Sequence, residues 1–413
     1  MKKGIALILL AFSSLCAFTQ QKDLNFYVST GLKNSPLLKD YRNQLQLTRI
    51  DSMRIKAGLG PQIKAQSTNS YAPVINGWGY DEIITDGANI YAGVSVSKEI
   101  TGSRNRQNQF DALGIQYQSI ENTGKITEQE LKKSITGQYI IAYGSLQQYL
   151  FNSEINGLLK SQETILKTLA ENGVYKQTEY LTFLVNIQQQ ELRMTGMRNK
   201  YRSDLSTLNY LCGIEDTSLI YLAEPELVPD QLPEFIGTVF YKQFTLDSLK
   251  LQNAGKQIDY LYKPKLSLFA DGGYYSSLAF EPYKNFGLNA GFTVSVPIYD
   301  GGLRKIQHDK ISIDEDIRRS YRDFYLSQSS QQINRFLQQL DENQRLSEDI
   351  SKQVNYARTL IETYHKILEA GDIQMSDYII AISNYLTARN MMVENKVEKY
   401  QIINELNYWN RTK

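Results

Sequence analysis

Phe286-Gly287-Leu288-Asn289-Ala290-Gly291-Phe292-Thr293-Val294-Ser295-Val296 alternates without a break. Phe286, Leu288, Ala290, Phe292, Val294 and Val296 fall on one side, and Gly287, Asn289, Gly291, Thr293 and Ser295 on the other. A period of two is that of a β-strand, with one apolar face and one small, polar face. A run of about ten residues is what a tilted strand needs to cross a bilayer. It also suits an antiparallel meander in a soluble domain, so the strand alone leaves both readings open. Ile90, Ala92, Val94 and Val96 repeat the alternation near the other end of the chain. Gln62 to Tyr71 and Lys265 to Tyr275 are weaker versions of it.

The repetition extends beyond the strands. Ala92-Gly93-Val94-Ser95-Val96-Ser97 aligns with Ala290-Gly291-Phe292-Thr293-Val294-Ser295 at an offset of 198 residues. The same offset relates Glu171-Asn172-Gly173 to Glu369-Ala370-Gly371, Glu179-Tyr180-Leu181 to Asp377-Tyr378-Ile379, and Asn209-Tyr210-Leu211 to Asn407-Tyr408-Trp409. Leu59-Gly60-Pro61-Gln62-Ile63 aligns with Tyr262-Lys263-Pro264-Lys265-Leu266 at 203, a change in loop length. A shared offset held over more than a hundred residues marks a duplication.

Each half reads as a medium helix (Leu37 to Lys56, Val239 to Leu261), a helix-ending Pro (Pro61, Pro264), two strands, a very long helix, a glycine break and a return helix. No Pro interrupts Ser103 to Ala170 or Leu303 to Ala370. Leu150, Ile155, Leu158, Gln162, Ile165 and Leu169 recur at coiled-coil spacing. So do Ile333, Phe336, Leu340, Ser347, Ile350, Val354, Ala357, Ile361 and Tyr364. At 1.5 Å per residue such a helix is about 100 Å long. The return helices, Gln177 to Leu211 and Ser376 to Tyr408, cover about half of that, and a medium helix stacked on each makes up most of the rest. The joint from Glu224 to Pro233, with Pro225 and Pro229, sits where such a stack breaks. The expected divisions are a signal peptide at 1–19, a first repeat at 20–213, a linker forming an irregular belt at 214–236 and a second repeat at 237–413. The fold class is mainly α with β: duplicated coiled-coil hairpins plus four strands.

Met1-Lys2-Lys3 followed by apolar residues to Phe18, with small residues Ala17 and Thr19 before Gln20, reads as an export leader. Cys16 also allows lipidation of a new N-terminus. The formal charge is +1, and loss of Lys2 and Lys3 with the leader makes it −1, which gives no electrostatic footprint for nucleic acid. Two histidines and two cysteines in 413 residues exclude Cys-rich zinc sites and a disulfide framework by count. No apolar stretch after the leader is long enough for a transmembrane helix. No catalytic triad, phosphate-binding glycine loop or carboxylate pair in a pocket context emerges, so no enzyme, cofactor or metal site is expected. Tyr71, Tyr80, Tyr91, Tyr274, Tyr275 and Tyr283 at strand ends suit an interfacial aromatic girdle. Four strands cannot close a membrane barrel alone, because an open edge leaves backbone groups unpaired in lipid. Two copies would give a narrow, filled barrel of eight strands, and three a barrel of twelve with an open lumen.

The duplicated layout, the junction Val294-Ser295-Val296-Pro297-Ile298-Tyr299-Asp300-Gly301-Gly302-Leu303-Arg304 and the glycine turns followed by an acid (Gly173 with Glu179, Gly371 with Asp377) resemble the TolC-like outer membrane efflux factor family. The resemblance covers essentially all of the mature chain. The first-half junction, Ile100-Thr101-Gly102-Ser103-Arg104, is degenerate, and Ile380 and Thr182 stand where many relatives carry a second acid. The resemblance implies a homotrimer with a shared 12-stranded outer-membrane barrel continued by a periplasmic helical tunnel. Its tips would dock on a periplasmic adaptor and an inner-membrane transporter. In a trimer Glu179 and Asp377 would form a carboxylate ring at the periplasmic mouth, or else they are solvated first-turn acids favourably placed near helix N-termini. The expected function is a passive duct for efflux or type I secretion of small molecules such as drugs and toxic compounds. The alternative is a periplasmic coiled-coil adaptor or scaffold without a pore.

Overall fold

The structure, a computed structural model, describes residues 22–81, 87–231, 235–278, 281–370 and 373–409. The leader with Cys16, Pro233 and Gly371 lie outside the described residues. The helices are α1 (Leu24–Asn34), α2 (Pro36–Gly58), α3 (Ser103–Glu171), α4 (Gln177–Cys212), α5 (Val239–Leu261), α6 (Leu303–Ala370) and α7 (Met375–Trp409). The strands are β1 (Gln62–Ala72), β2 (Gly87–Ile100), β3 (Lys265–Ser276) and β4 (Phe286–Ser295). None of these helices is long and apolar enough to cross a membrane. The order α2-β1-β2-α3-α4 recurs as α5-β3-β4-α6-α7. The chain forms two compact units.

The first unit comprises residues within Met1–Lys39, Lys125–Val239 and Tyr325–Lys413. The two hairpins share a core of Phe151, Ile155, Leu159, Leu166, Phe183 and Ile187 with Ile361, Leu368, Met375, Tyr378, Ile382 and Leu386. In the second hairpin the expected seam is the buried one: Phe336, Ile350, Val354, Ala357 and Ile361 are all covered. Asn343 completes its three-four spacing. It is buried, and its side-chain amide donates to Asn395 O at 3.1 Å. In the first hairpin the expected seam holds at buried Ile155 and Gln162 and differs elsewhere. Phe151, Leu159 and Leu166 are buried, while Leu150, Leu158 and Ile165 are only half-buried. Adjacent apolar residues at 158/159 and 165/166 fit two helical stripes, and packing against the second hairpin selects one. The buried Asn152–Gln190 bond of 3.0 Å pins the register there, as polar pairs in coiled coils do.

The helix α1 was not expected, because Gly31 and only eleven residues dilute its pattern. Asp23 caps it by accepting from Phe26 N at 2.8 Å. It packs through buried Tyr27 against Ile135, Tyr139 and Cys212. A Cβ on Gly31 would collide with the Ile135 side chain, so the glycine sets the approach of α1 to α3.

The extended segment after Gly213 is held by side chains of the hairpins. Asn209 donates to Asp216 O at 2.7 Å, and its repeat counterpart Asn407 donates to Val228 O at 2.9 Å. The duplication thus kept one amide for one task, gripping an irregular strap. At the centre is Glu224, which accepts from Tyr400 at 2.6 Å, Lys396 at 2.7 Å and Tyr143 at 3.3 Å. Lys396 and Tyr400 hold the Glu224 carboxyl below its usual range, and burial with Glu224 alongside pushes Tyr143 up to about 12. A carboxyl with a depressed folded-state pKa stabilises above its unfolded value, about 4.3, and loses that contribution as pH falls through the folded value. Glu224→Ala leaves Tyr143 and Tyr400 without their acceptor; the carboxylate is half exposed, so water replaces it in part and the cost is about 1 kcal/mol. Denaturant melts of the variant at neutral pH should show that loss, and it should shrink in acid. A pH-independent difference would rule the carboxylate out as the cause.

The second unit comprises Asp40–Gly124 and Phe240–Phe324. Its four strands form one antiparallel sheet in the order β1-β2-β3-β4. The β2–β3 pairing joins the two repeats.

Candidate functional site

The register assigns every strand residue to a face. Val94 pairs with Ala65 and Gly272, and Gly272 with Leu288. Continuing by twos gives one face of Ile63 and Ala65, then Ile90, Ala92, Val94, Val96 and Ile100, then Leu266, Leu268 and Ala270, then Phe286, Leu288, Ala290, Phe292 and Val294. Ser67, Asn69 and Lys98 are its main polar interruptions. This face is uncovered: Leu288 is 94% exposed, Phe286 73% and Phe292 70%. The opposite face carries Gln62, Lys64, Gln66, Thr68, Asn89, Ser95, Ser97, Asp271, Asn289 and Thr293. Apolar residues left bare on one whole face of a sheet mark a surface that lipid or another chain must cover. Among the described residues β1 pairs only with β2, and β4 only with β3, so each keeps one unpaired edge.

The sheet also corrects the expected aromatic girdle. Tyr71 and Tyr274 lie on the apolar face, where Tyr274 packs edge-on against Phe286 at 5.3 Å. Tyr91 and Tyr275 lie on the polar face, against each other at 5.9 Å. Tyr80 and Tyr283 lie in the connections between strands. Tyrosines at adjacent ends of paired strands alternate faces with the pleat, which sequence clustering does not resolve.

At the strand-to-helix junction β4 stops one residue short of Val296, and Pro297, without an N–H, cannot extend a ladder. Gly301 and Gly302 adopt φ of 67° and 83°, a region that costs side-chain-bearing residues energy. Asp300 accepts from Gly302 N at 2.9 Å and Arg304 N at 2.7 Å, satisfying orphan donors at the start of α6. The Arg304 N–H and the Tyr262 hydroxyl hold its carboxyl low. Arg304 also reaches back to Asp259 on α5 at 2.8 Å. The junction is a structural hinge pin with its charges paired.

At the tip of the first hairpin Gly173 has φ 76°, and Val174 N donates to Leu169 O at 2.9 Å, closing α3 in a Schellman turn. Glu179, third residue of α4, reaches back to accept from Lys176 N at 3.1 Å. Asp377 holds the same position in α7 and is exposed. Among the described residues its carboxylate makes no such capping bond. The duplicated acids have therefore diverged, one capping its own helix and the other facing solvent. The Tyr175 hydroxyl donates to Ile373 O at 3.0 Å, across the duplicated positions, and ties one tip to the other.

No family model matches the chain, and no curated protein matches it. Solved structures do. The outer membrane protein VceC of Vibrio cholerae superposes with a TM-score of 0.76, covering 94% of this chain and 96% of that one at 12% identity. The CmeC outer membrane channel of Campylobacter jejuni gives 0.73 over 94% and 85% at 15% identity. The open state of the MtrE outer membrane channel of Neisseria gonorrhoeae gives 0.73 over 94% and 88% at 11% identity. The chain has the TolC-like fold.

Within this TolC-like fold both histidines of the chain lie on α6. His308 sits 3.0 Å from Asp259 beside Arg304, and His365 lies on a far stretch of α6, so they share no site. Among the described residues no group of His, Cys, Asp and Glu is arranged to hold a metal. Two residues of the TolC-like frame escaped the sequence reading. Glu224 was visible only as part of a Pro-rich joint, since its partners lie far away in sequence. Asp271 was readable as a polar-face residue of the weaker strand, once the period of two was carried through Lys265 to Tyr275.

Proposed function

We propose that this protein is the passive outer-membrane exit duct of an efflux or type I secretion system, carrying small toxic compounds out of the cell. Three copies join their free β1 and β4 edges into one 12-stranded barrel, apolar face to lipid and polar face to a water-filled lumen. The two-faced sheet with two open edges carries this reading. The bare heptad stripe Leu303, Ile306, Ile313, Ile317, Tyr321 and Phe324 on α6 supports self-association, as does the exposed row Leu47, Ile50 and Met53 on α2. The helical hairpins then form a periplasmic tunnel whose tips dock on an adaptor and an inner-membrane transporter that supplies the energy. Residues 1–19 act as the leader, 20–213 and 237–413 as the repeats, and 214–236 as the belt.

At the tips Gly173 and Gly371 turn the chain, and Asp377, uncommitted to capping, supplies the carboxylates of the gate, whereas Glu179 serves its helix. Acidic rings favour cations. Purified protein in planar bilayers should give discrete, long-lived, cation-leaning conductance steps, and Asp377→Ala should weaken the cation preference. Protein recovered without detergent from the periplasm, as a monomer that never inserts, would overturn the duct in favour of a scaffold.

A further inference from the structure

The polar face of the sheet carries four charged residues: Lys64, Glu99, Lys265 and Asp271. They are unevenly placed. Glu99 faces Ser267, and Lys265 lies two residues before that serine, so these opposite charges are diagonal neighbours at the end of the sheet nearest the helices. Lys64, two residues into β1, shares a cross-strand row with Asp271 through Ser95. Asp271 is six residues beyond Lys265, about 20 Å along the strand. Past its row the polar-face residues of all four strands are uncharged, within Gln66–Ala72, Gly87–Gly93 and Gly273–Tyr275 and at Gly287. Its direct cross-strand neighbours are Ser95 and Asn289, both neutral. Lys64 is two strands away, opposite Ser95, at a spacing of about 10 Å. Among the described residues no cation pairs with the Asp271 carboxylate.

We infer that Asp271 is a specificity-determining residue: it is the fixed negative charge that biases the far half of the lumen toward cationic cargo and against anionic cargo. The inference rests on the duct reading and deepens it. A barrel of several copies repeats Asp271 as a ring on the lumen wall. Low-dielectric walls focus the field of such a ring into the water they enclose, which raises the local concentration of cations. The ring lies on strands, apart from the tip acids, so it acts whether the tips are open or shut.

The test measures that local potential with a thiol reporter. Asn289→Cys, directly opposite Asp271, is placed in the full chain with and without Asp271→Asn. The assembled protein is treated with a cationic trimethylammonium and an anionic sulfonate methanethiosulfonate of similar size. Cys212, 1% exposed, makes the otherwise unchanged chain the blank. Any effect of Asp271 on the reporter thiol's own ionisation slows both reagents alike and cancels in the ratio of rates. With Asp271 present the cation-to-anion ratio should be at least about threefold higher than with Asn, and high salt should compress the difference. Ser95→Cys, on the other flank of Asp271, should give the same result. Equal ratios in both backgrounds would overturn the role of Asp271 and leave the duct standing. An assembled oligomer whose reporters neither reagent reaches would mean that the polar face lines no lumen, and both readings would fall together.

Discussion

If the chain assembles as proposed, Gly273→Ala should remove the oligomer from the outer membrane. Gly273 stands directly opposite Gly93 in the β2–β3 ladder. A Cβ built on it would run into the Ala92 carbonyl oxygen and the Gly93 Cα, and would sit 3.0 Å from the Ala92 carbonyl carbon. All three are backbone atoms, so no rotamer change relieves the clash. Only separation of β2 from β3 does, and those strands carry the pairing that joins the two repeats. Overpacking that forces backbone shifts costs about 1–3 kcal/mol or more, and each copy in the proposed barrel bears it. Gly287→Ala is the matched control, on the same face of β4 with nothing within 4 Å of its added methyl. Unheated gels of outer-membrane fractions should show the oligomer for Gly287→Ala and its loss for Gly273→Ala. Equal bands would mean that the sheet does not hold the register described.

The sequence made some of this legible and hid the rest for physical reasons. Strand and helix bounds follow from local chemistry, since period two, Pro61, Pro264 and the glycine breaks act on their neighbours alone. Thus β3 begins at Lys265 and α5 covers Val239–Leu261, as read. Register does not follow locally. The pairing of Gly93 with Gly273 joins residues far apart in the chain, and its reason, a backbone approach too close for any Cβ, exists only once the sheet has formed. The seam of the first hairpin shows the same limit, because Leu158 and Leu159 are equally apolar and a partner helix chooses between them. At the tips, the duplicated acids look alike in sequence. Only geometry separates Glu179, turned back onto Lys176 N, from Asp377, left facing solvent.

Leu288→Arg distinguishes a lipid-facing sheet from a watery one, because the two environments predict opposite outcomes at the same atom. Leu288 is 94% exposed and lies only over Gly272 of the neighbouring strand, so little contact within the chain is lost on replacing it. In a soluble meander such a surface change stays within about 0.5 kcal/mol and improves solubility. In a barrel wall the guanidinium enters hydrocarbon, at a cost that rises from about 1 kcal/mol per copy near the interface toward about 2–4 kcal/mol at mid-membrane, and every copy in the ring adds its share. Asn289→Arg, one residue on, is the internal comparison: the pleat turns it to the polar face, where water solvates the charge. Leu288→Arg should therefore deplete the heat-sensitive oligomer and lower its dissociation temperature in detergent, while Asn289→Arg assembles nearly as the parent does. If the two variants assembled equally well, the apolar face would not meet lipid, and the exposed leucine and phenylalanines would need a protein partner to cover them instead.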